Sequence, residues 1–128
     1  MKLLLDTHIW LWTISEPHRI GRRTLHSLQD AGNELWLSPV SLWEAFLLNR
    51  KGRIRIHGDL RAWQSEATAR FHEAPLTHEI VMAAEQLPLH PDPADRFLAA
   101  TAKVLGLTLV TADSRLLGLG DIATLANR

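Results

Sequence analysis

The chain has 128 residues, a hydrophobic share of 46%, a charged share of 22% and a formal net charge of zero at pH 7. These values are ordinary for a soluble globular protein and predict a single domain over residues 1–128, without an overall charge to steer any one class of partner. The absence of cysteine excludes a disulfide framework, a thiolate zinc site and a cysteine nucleophile. No apolar run approaches the roughly 20 residues of a membrane span, and charges interrupt the start too early for a signal peptide, so we expect a cytoplasmic protein.

Short apolar strands alternate with helices through the first two thirds of the chain. Lys2–Leu5 predicts a buried strand that Asp6 closes, and apolar residues at helical spacing from Ile9 to Thr13 predict the first helix. A second helix is predicted over Ile20–Asp30, and a second strand over Glu34–Leu37. The elements predicted next are a third helix opened by Ser38–Ser41 and stopped at Gly52, a fourth over Asp59–Phe71, an extended segment over Glu73–Leu76, and a fifth helix that Thr77 caps and Pro88 ends.

The stretch from His90 to Asp113 carries the strongest local signals. Its prolines cannot continue a helix, and Asp92 is typical of an N-cap because Pro93 then occupies the first helical position. Apolar residues follow at helical spacing until Gly106, which is placed to end the helix.

A β-branched and apolar run then predicts a buried strand over Leu107–Thr111, and Asp113 comes just past its end. A turn of helix over Ser114–Leu117 and a last strand over Ile122–Leu125 are predicted beyond it. The alternation of strands and helices predicts an α/β fold with a mostly parallel central sheet and helices on both faces.

Acidic residues follow two of the predicted buried strands. Because the carboxyl ends of parallel strands share one edge of the sheet, Asp6 and Asp113 should lie at the edge where such sheets bind ligands. Asp95 heads the helix that leads into the second of these strands. Several carboxylates in one cleft repel one another and need a cation or raised pKa values, and hard oxygen ligands select Mg²⁺ or Mn²⁺.

Most of these acids also have a purely structural explanation. Asp6 could cap the first helix, Glu44 could reach back in a capping box with Ser41, and capping explains Asp92 fully. A non-catalytic binding module whose acids are caps is therefore one alternative, although capping does not account for Asp113. Another alternative is a different nuclease or a phosphatase built on the same acids, although phosphoryl-transfer enzymes with an aspartyl nucleophile normally carry a second Asp where this chain has His8.

Four motifs occur in the order and spacing of PIN-domain ribonucleases. They are LLLDT at Leu3–Thr7, SPVSLWE at Ser38–Glu44, DPADR at Asp92–Arg96 and VTAD at Val110–Asp113. The chain resembles in particular the VapC toxins of bacterial and archaeal type II toxin–antitoxin pairs, and the resemblance covers nearly all of it. One departure is Leu48, where many relatives carry a basic residue.

This resemblance implies a PIN-like three-layer sandwich and a metal-dependent endoribonuclease that hydrolyses RNA phosphodiesters with a metal-activated water. The implied cofactor is Mg²⁺, with Mn²⁺ as a substitute. The implied catalytic acids are Asp6, Glu44, Asp95 and Asp113. The resemblance implies that Asp6, Asp95 and Asp113 bind the metal and that Glu44 binds it directly or through water. It also implies that Thr111 supports the cluster by a hydrogen bond and that Arg96 faces a phosphate or an acidic neighbour.

The resemblance also implies a cognate VapB-like antitoxin, and either a homodimer or a toxin–antitoxin hetero-oligomer. Five tryptophans in a chain without tyrosine exceed what a small core needs. Trp10, Trp12, Trp43 and Trp63 fall on predicted helices, and we expect two or three tryptophans in the core and the rest on a groove or dimer face. An amphipathic antitoxin segment would then bind in a helix-in-groove mode.

Overall fold

The computed structural model describes residues 1–88 and 92–128, and these form a parallel sheet with helices on both faces. The strands are β1 (Lys2–Leu5), β2 (Glu34–Leu37), β3 (His72–Glu73), β4 (Thr108–Thr111) and β5 (Thr124–Ala126). The helices are α1 (Thr7–Ser15), α2 (Arg22–Gln29), α3 (Pro39–Arg50), α4 (Leu60–Ala67), α5 (His78–Gln86), α6 (Pro93–Leu105) and α7 (Ser114–Leu117), with a 3₁₀ turn at Pro17–Arg19. None of these helices is long and apolar enough to span a membrane.

Successive side chains of β1 point alternately toward the two layers of helices. Leu3 and Leu5 point to the face that α1, α2, α3 and α4 cover, whereas Leu4 points to the face that α5, α6 and α7 cover. Since successive side chains of a strand point to opposite faces, three consecutive leucines can all be fully buried only in a sheet covered on both sides. The predicted α/β three-layer sandwich is therefore confirmed.

The order of the strands is β3-β2-β1-β4-β5, and every neighbouring pair is parallel. From β1, the strands β2 and β3 are added on one side of the sheet, and β4 and β5 are added on the other side. The direction in which strands are added therefore reverses beside β1. Leu5 of β1 pairs with Val110 of β4, and the next backbone N–H, that of Asp6, donates to the Val110 carbonyl at 2.9 Å. The carboxyl ends of β1 and β4 thus meet at a switch point, where open α/β sheets place ligands.

The ends of α6 match their sequence signals. Asp92 is the N-cap, and its Oδ1 accepts hydrogen bonds from the backbone N–H groups of Ala94 and Asp95 at 3.0 and 3.4 Å. Gly106 ends the helix with φ of 66°, a left-handed conformation that glycine adopts without strain. The prediction that His90 and Pro91 interrupt the helix falls outside the described residues.

Several other boundaries differ from the sequence prediction, among them the extended segment predicted over Glu73–Leu76, where the strand is His72–Glu73. Helix α2 begins at Arg22 instead of Ile20, helix α4 ends at Ala67 instead of Phe71, and the last strand is Thr124–Ala126. Such shifts at element ends arise because apolar spacing marks the buried face of an element and not its last hydrogen bond.

Candidate active site

A cleft of about 290 Å³ opens where the carboxyl ends of β1 and β4 meet. Its lining residues are Asp6, His8, Trp12, Glu44, Asp92, Asp95, Ala112, Asp113 and Arg115. The structure therefore brings the four predicted acids together, although they come from the ends of two strands and from two different helices.

Asp6 is the most deeply buried of these acids, with only 7% of its surface exposed. Its Oδ2 accepts a hydrogen bond of 2.7 Å from the hydroxyl of Thr111. Burial raises the pKa of the Asp6 carboxyl, and the charge of Asp113 adds to the increase, whereas the Thr111 hydrogen bond lowers the pKa. Asp6 precedes α1, but its side chain makes no capping hydrogen bond, so capping does not explain this residue.

Glu44 reaches the cleft from α3 and is held by Thr7 of α1, whose hydroxyl donates to Glu44 Oε1. The same Thr7 oxygen lies 2.8 Å from the buried Ser41 hydroxyl. The capping box considered for Ser41 and Glu44 is wrong, because α3 begins earlier and its N-cap is Ser38, which accepts from the Val40 N–H. Burial raises the pKa of Glu44, and the nearby charges of Asp6 and Asp92 raise it further.

Asp113 and Thr111 form a hydrogen-bonded turn after β4. The Asp113 backbone N–H donates to Thr111 Oγ1 at 3.0 Å, so this hydroxyl links Asp113 to Asp6. The Asp113 carboxylate also caps the short helix α7, since Oδ1 accepts from the Arg115 N–H at 2.9 Å. The expectation that capping could not account for Asp113 is therefore wrong, and its carboxylate serves a cap as well as the cleft.

A guanidinium lies beside two of the acids. Arg115 Nη2 and Nε lie 2.9 and 3.2 Å from the two carboxylate oxygens of Asp113, and Nη2 lies 3.9 Å from Asp95 Oδ2. The hydrogen bonds to Asp113 raise the pKa of Arg115 further above its usual value. The cleft thus contains a positive charge where its acids would otherwise repel one another.

Arg96 directs a guanidinium nitrogen toward the end of α5. Its Nη1 donates to the carbonyls of Ala84 and Leu87 at 3.2 and 2.9 Å, which are among the last acceptors of that helix. These hydrogen bonds hold α5 against α6, and the N-terminal end of α6 carries Asp95 into the cleft.

Comparison with known proteins identifies the family. The family model of the PIN domain matches residues 3–121. The chain belongs to the PIN-domain family. Ribonuclease VapC22 of Mycobacterium tuberculosis is 31% identical to this PIN domain over 116 residues, which are 89% of this chain and 88% of that protein.

Solved structures share the fold at lower identity. VapBC2 of Rickettsia felis, bound to a DNA fragment from its promoter, matches with a TM-score of 0.74 at 16% identity, and the match covers 98% of each chain. A toxin–antitoxin complex from Klebsiella pneumoniae matches with a TM-score of 0.71 at 18% identity, again over 98% of each chain. These matches support the PIN-like arrangement of sheet and helices predicted from the sequence.

PIN-domain VapC nucleases depend on a divalent metal, and the donor set of this PIN domain suits one. Carboxylate oxygens are hard ligands, and burial together with like charges raises the pKa values of Asp6 and Glu44, an imbalance that a cation would relieve. Among residues 1–88 and 92–128, however, no three acidic or histidine side chains are arranged to hold an ion as they stand. The guanidinium of Arg115 places one positive charge beside Asp113 and Asp95.

The sequence interpretation missed two residues that organise this cleft. Thr7 fixes Glu44, and its signal was its position directly after the acid that ends β1. Arg115 pairs with Asp113, and its signal was a basic residue two positions after the acid that follows β4.

Proposed function

We propose that this PIN domain is a metal-dependent endoribonuclease that acts as the toxin of a type II toxin–antitoxin pair. The observation that carries the proposal is the convergence of Asp6, Glu44, Asp95 and Asp113 on one cleft at the carboxyl edge of the sheet. A relative with 31% identity over most of the chain is named as a ribonuclease, which supports RNA as the substrate.

In this proposal Asp6, Asp95 and Asp113 hold the cation, which is Mg²⁺ with Mn²⁺ as a substitute. A bound divalent cation activates water and offsets the charge that builds up during displacement at phosphorus. Thr111 orients the Asp6 carboxyl by its hydrogen bond and lowers its pKa, which favours the ionised form. Glu44, which Thr7 fixes by a hydrogen bond, would orient the attacking water.

Cleavage of a labelled single-stranded RNA in Mg²⁺ or Mn²⁺ tests the proposal. We expect cleavage by the wild type, its loss in EDTA, and rates lower by orders of magnitude for Asp6→Asn and Asp95→Asn. Asp59→Asn is a matched control, because Asp59 also lies at a helix N-terminus but outside the cleft, and asparagine caps helices equally well. Full activity of Asp6→Asn would contradict the proposed site, and absence of any cleavage by the wild type would contradict the proposed activity.

An apolar groove beside the acidic cleft offers a surface for the antitoxin. A groove of about 720 Å³ runs between α3 and the start of α6, and Glu44 and Asp92 line both this groove and the acidic cleft. Trp43 is 52% exposed there and Leu76 is 41% exposed, whereas Trp10 is fully buried. We infer that an apolar antitoxin segment binds in this groove, in a toxin–antitoxin hetero-oligomer, and closes access to the acids.

Co-expression with any short reading frame that adjoins this gene tests the partner. We expect a complex in which the tryptophan emission shifts to the blue, because Trp43 becomes buried. Trp43→Ala should weaken the complex at least tenfold, as expected for a central aromatic anchor. Unchanged affinity of Trp43→Ala would contradict this placement of the antitoxin, and recovery of no complex would contradict the toxin role.

A further inference from the structure

Two aromatic side chains of α1 line the acidic cleft, and the metal chemistry uses neither of them. His8 and Trp12 lie one helical turn apart, so both project from the same face of α1. Their ring centroids are 6.3 Å apart, with 34° between the ring planes. His8 is exposed and Trp12 is half-buried, so the two rings form a wall of the cleft that solvent can reach.

Trp12 is held in place from outside the cleft. The guanidinium carbon of Arg19 lies 4.3 Å from the centre of the Trp12 ring, and Arg19 is in turn paired with Glu16 at 3.0 Å. Trp12 also packs against the buried cluster that covers one face of the sheet. An aromatic ring that is already fixed loses little conformational freedom when a ligand packs on it.

The charge of the cleft limits what can bind on this wall. The acids repel the phosphates of an RNA strand, so the cleft attracts RNA only where a cation or a basic side chain offsets that repulsion. A nucleobase is uncharged, and its flat face packs on aromatic rings whatever its identity. Proteins that act on unpaired RNA commonly bind its bases by such stacking.

We propose that His8 and Trp12 form the base-binding wall of the active site, on which an unpaired base adjoining the cleaved phosphodiester packs. The inference rests on the proposed ribonuclease function and adds to it the binding of a specific part of the substrate. Stacking places the adjoining phosphate over the acids, and the wall favours single-stranded over paired RNA because a paired base is already stacked.

The inference is tested by combining protein variants that lack the Trp12 ring with RNA substrates that lack one base. The probe is a short single-stranded RNA carrying one abasic nucleotide, placed in turn on each side of the bond that the wild type cleaves. Base–aromatic stacking of roughly 1–3 kcal/mol predicts that one abasic position raises the wild-type KM by about 5- to 150-fold. The same abasic nucleotide should change the KM of Trp12→Leu only slightly, because the ring that recognises the base is already absent from this variant. Trp12→Phe keeps a ring and should retain most of the effect.

A binding measurement without catalysis complements the kinetics. In Mn²⁺, the fluorescence anisotropy of a labelled RNA with a non-hydrolysable scissile linkage should give the same pattern in Kd across the variants, and His8→Leu should weaken binding less than Trp12→Leu. Trp63→Leu is the structural control, since Trp63 is also a half-buried tryptophan but lies outside the cleft. It should lose thermal stability without losing the abasic effect.

An abasic penalty of equal size in the wild type and Trp12→Leu would overturn the inference while leaving the ribonuclease function intact. So would unchanged RNA binding by Trp12→Leu combined with lost antitoxin binding, which would assign the wall to the partner. Failure of the proposed function gives a different result, because the intact RNA would then not be cleaved by the wild type at all.

Discussion

The hydroxyl of Thr111 lies 2.7 Å from Oδ2 of Asp6 and donates to it, joining residues that are 105 positions apart in the chain. The same oxygen accepts from the Asp113 N–H at 3.0 Å. One buried hydroxyl therefore sets the position of the acid after β1 and of the acid after β4. The parallel pairing of β1 with β4 and this shared hydroxyl together set the geometry of the candidate cation site.

Thr111→Val keeps the shape of the side chain but removes this hydrogen bond. The buried Asp6 carboxylate then loses a donor, so we expect the free energy of unfolding to fall by about 1–3 kcal/mol at neutral pH. The Asp6 pKa should rise further, because the Thr111 hydrogen bond is one of the interactions that lower it. Denaturant unfolding at neutral pH measures the first effect, and its dependence on pH measures the second. Thr108→Val on the same strand is the control, and equal losses in both variants would contradict the special role of Thr111.

Asp6→Asn should stabilise the metal-free fold at neutral pH. The pKa of Asp6 is raised above its ordinary value of 3.8, so ionising this group costs the folded state more than the unfolded state. The wild type therefore loses stability as the pH rises from below 3.8 through the raised pKa, whereas the variant lacks this contribution of Asp6. The difference in Tm should be small at acidic pH and reach its full size above the raised pKa.

Thermal melts from pH 3 to pH 8 in EDTA check this dependence. Glu66→Gln, which removes an exposed carboxylate outside the cleft, is the control and should show no comparable growth in the difference. A Tm difference that shrinks as the pH rises would show that Asp6 is stabilising in the absence of metal, and would contradict the electrostatic account.

Local signals predicted much of the fold and part of the site. Asp92 as an N-cap and Gly106 as a helix end were predictable because capping and left-handed backbone involve only neighbouring residues. The strand-end positions of Asp6 and Asp113 followed from apolar runs, since the carboxyl ends of parallel strands share one edge.

Contacts between distant residues were not predictable in the same way. Glu44 fits a local capping box with Ser41, but packing of α1 against α3 gives it Thr7, 37 positions away, as its partner. The position of the Arg115 guanidinium depends on side-chain torsions and the field of the acids, neither of which leaves a periodic pattern in the sequence. The resemblance to PIN-domain ribonucleases supplied the grouping of the acids, which spacing alone left open.

Arg115→Gln should increase the affinity for Mn²⁺ severalfold and lower the Tm of the metal-free protein. The guanidinium is hydrogen-bonded to both oxygens of Asp113, so a cation that uses Asp113 must displace it, and removing the positive charge removes the competition. Isothermal titration with Mn²⁺ and melts in EDTA measure these effects. Arg61→Gln, an exposed arginine on α4, is the control. Weaker Mn²⁺ binding by Arg115→Gln would instead mean that Arg115 positions Asp113 for the cation.

Asp92 should act as a cap and not as a cation ligand. Its Oδ1 accepts from two N–H groups at the start of α6, so Asp92→Asn should keep nearly full stability and activity. Asp92→Ala should lower the free energy of unfolding by about 0.5–2 kcal/mol. RNA cleavage and denaturant unfolding of both variants test this distinction. A loss of cleavage in Asp92→Asn as large as that in Asp95→Asn would move Asp92 into the catalytic set.

We propose that Asp6, Glu44, Asp95 and Asp113 form one cation site. The most direct measurement is the Tm of the wild type and of Asp95→Asn with and without Mn²⁺, with Asp59→Asn as the control. A cation that binds only the folded state at a hundredfold excess over Kd stabilises it by about 2.7 kcal/mol, which gives a shift of very roughly 5–15 °C for a domain of this size. We expect this shift in the wild type and in Asp59→Asn, and little or none in Asp95→Asn. An equal Mn²⁺ shift in the wild type and Asp95→Asn would contradict the account.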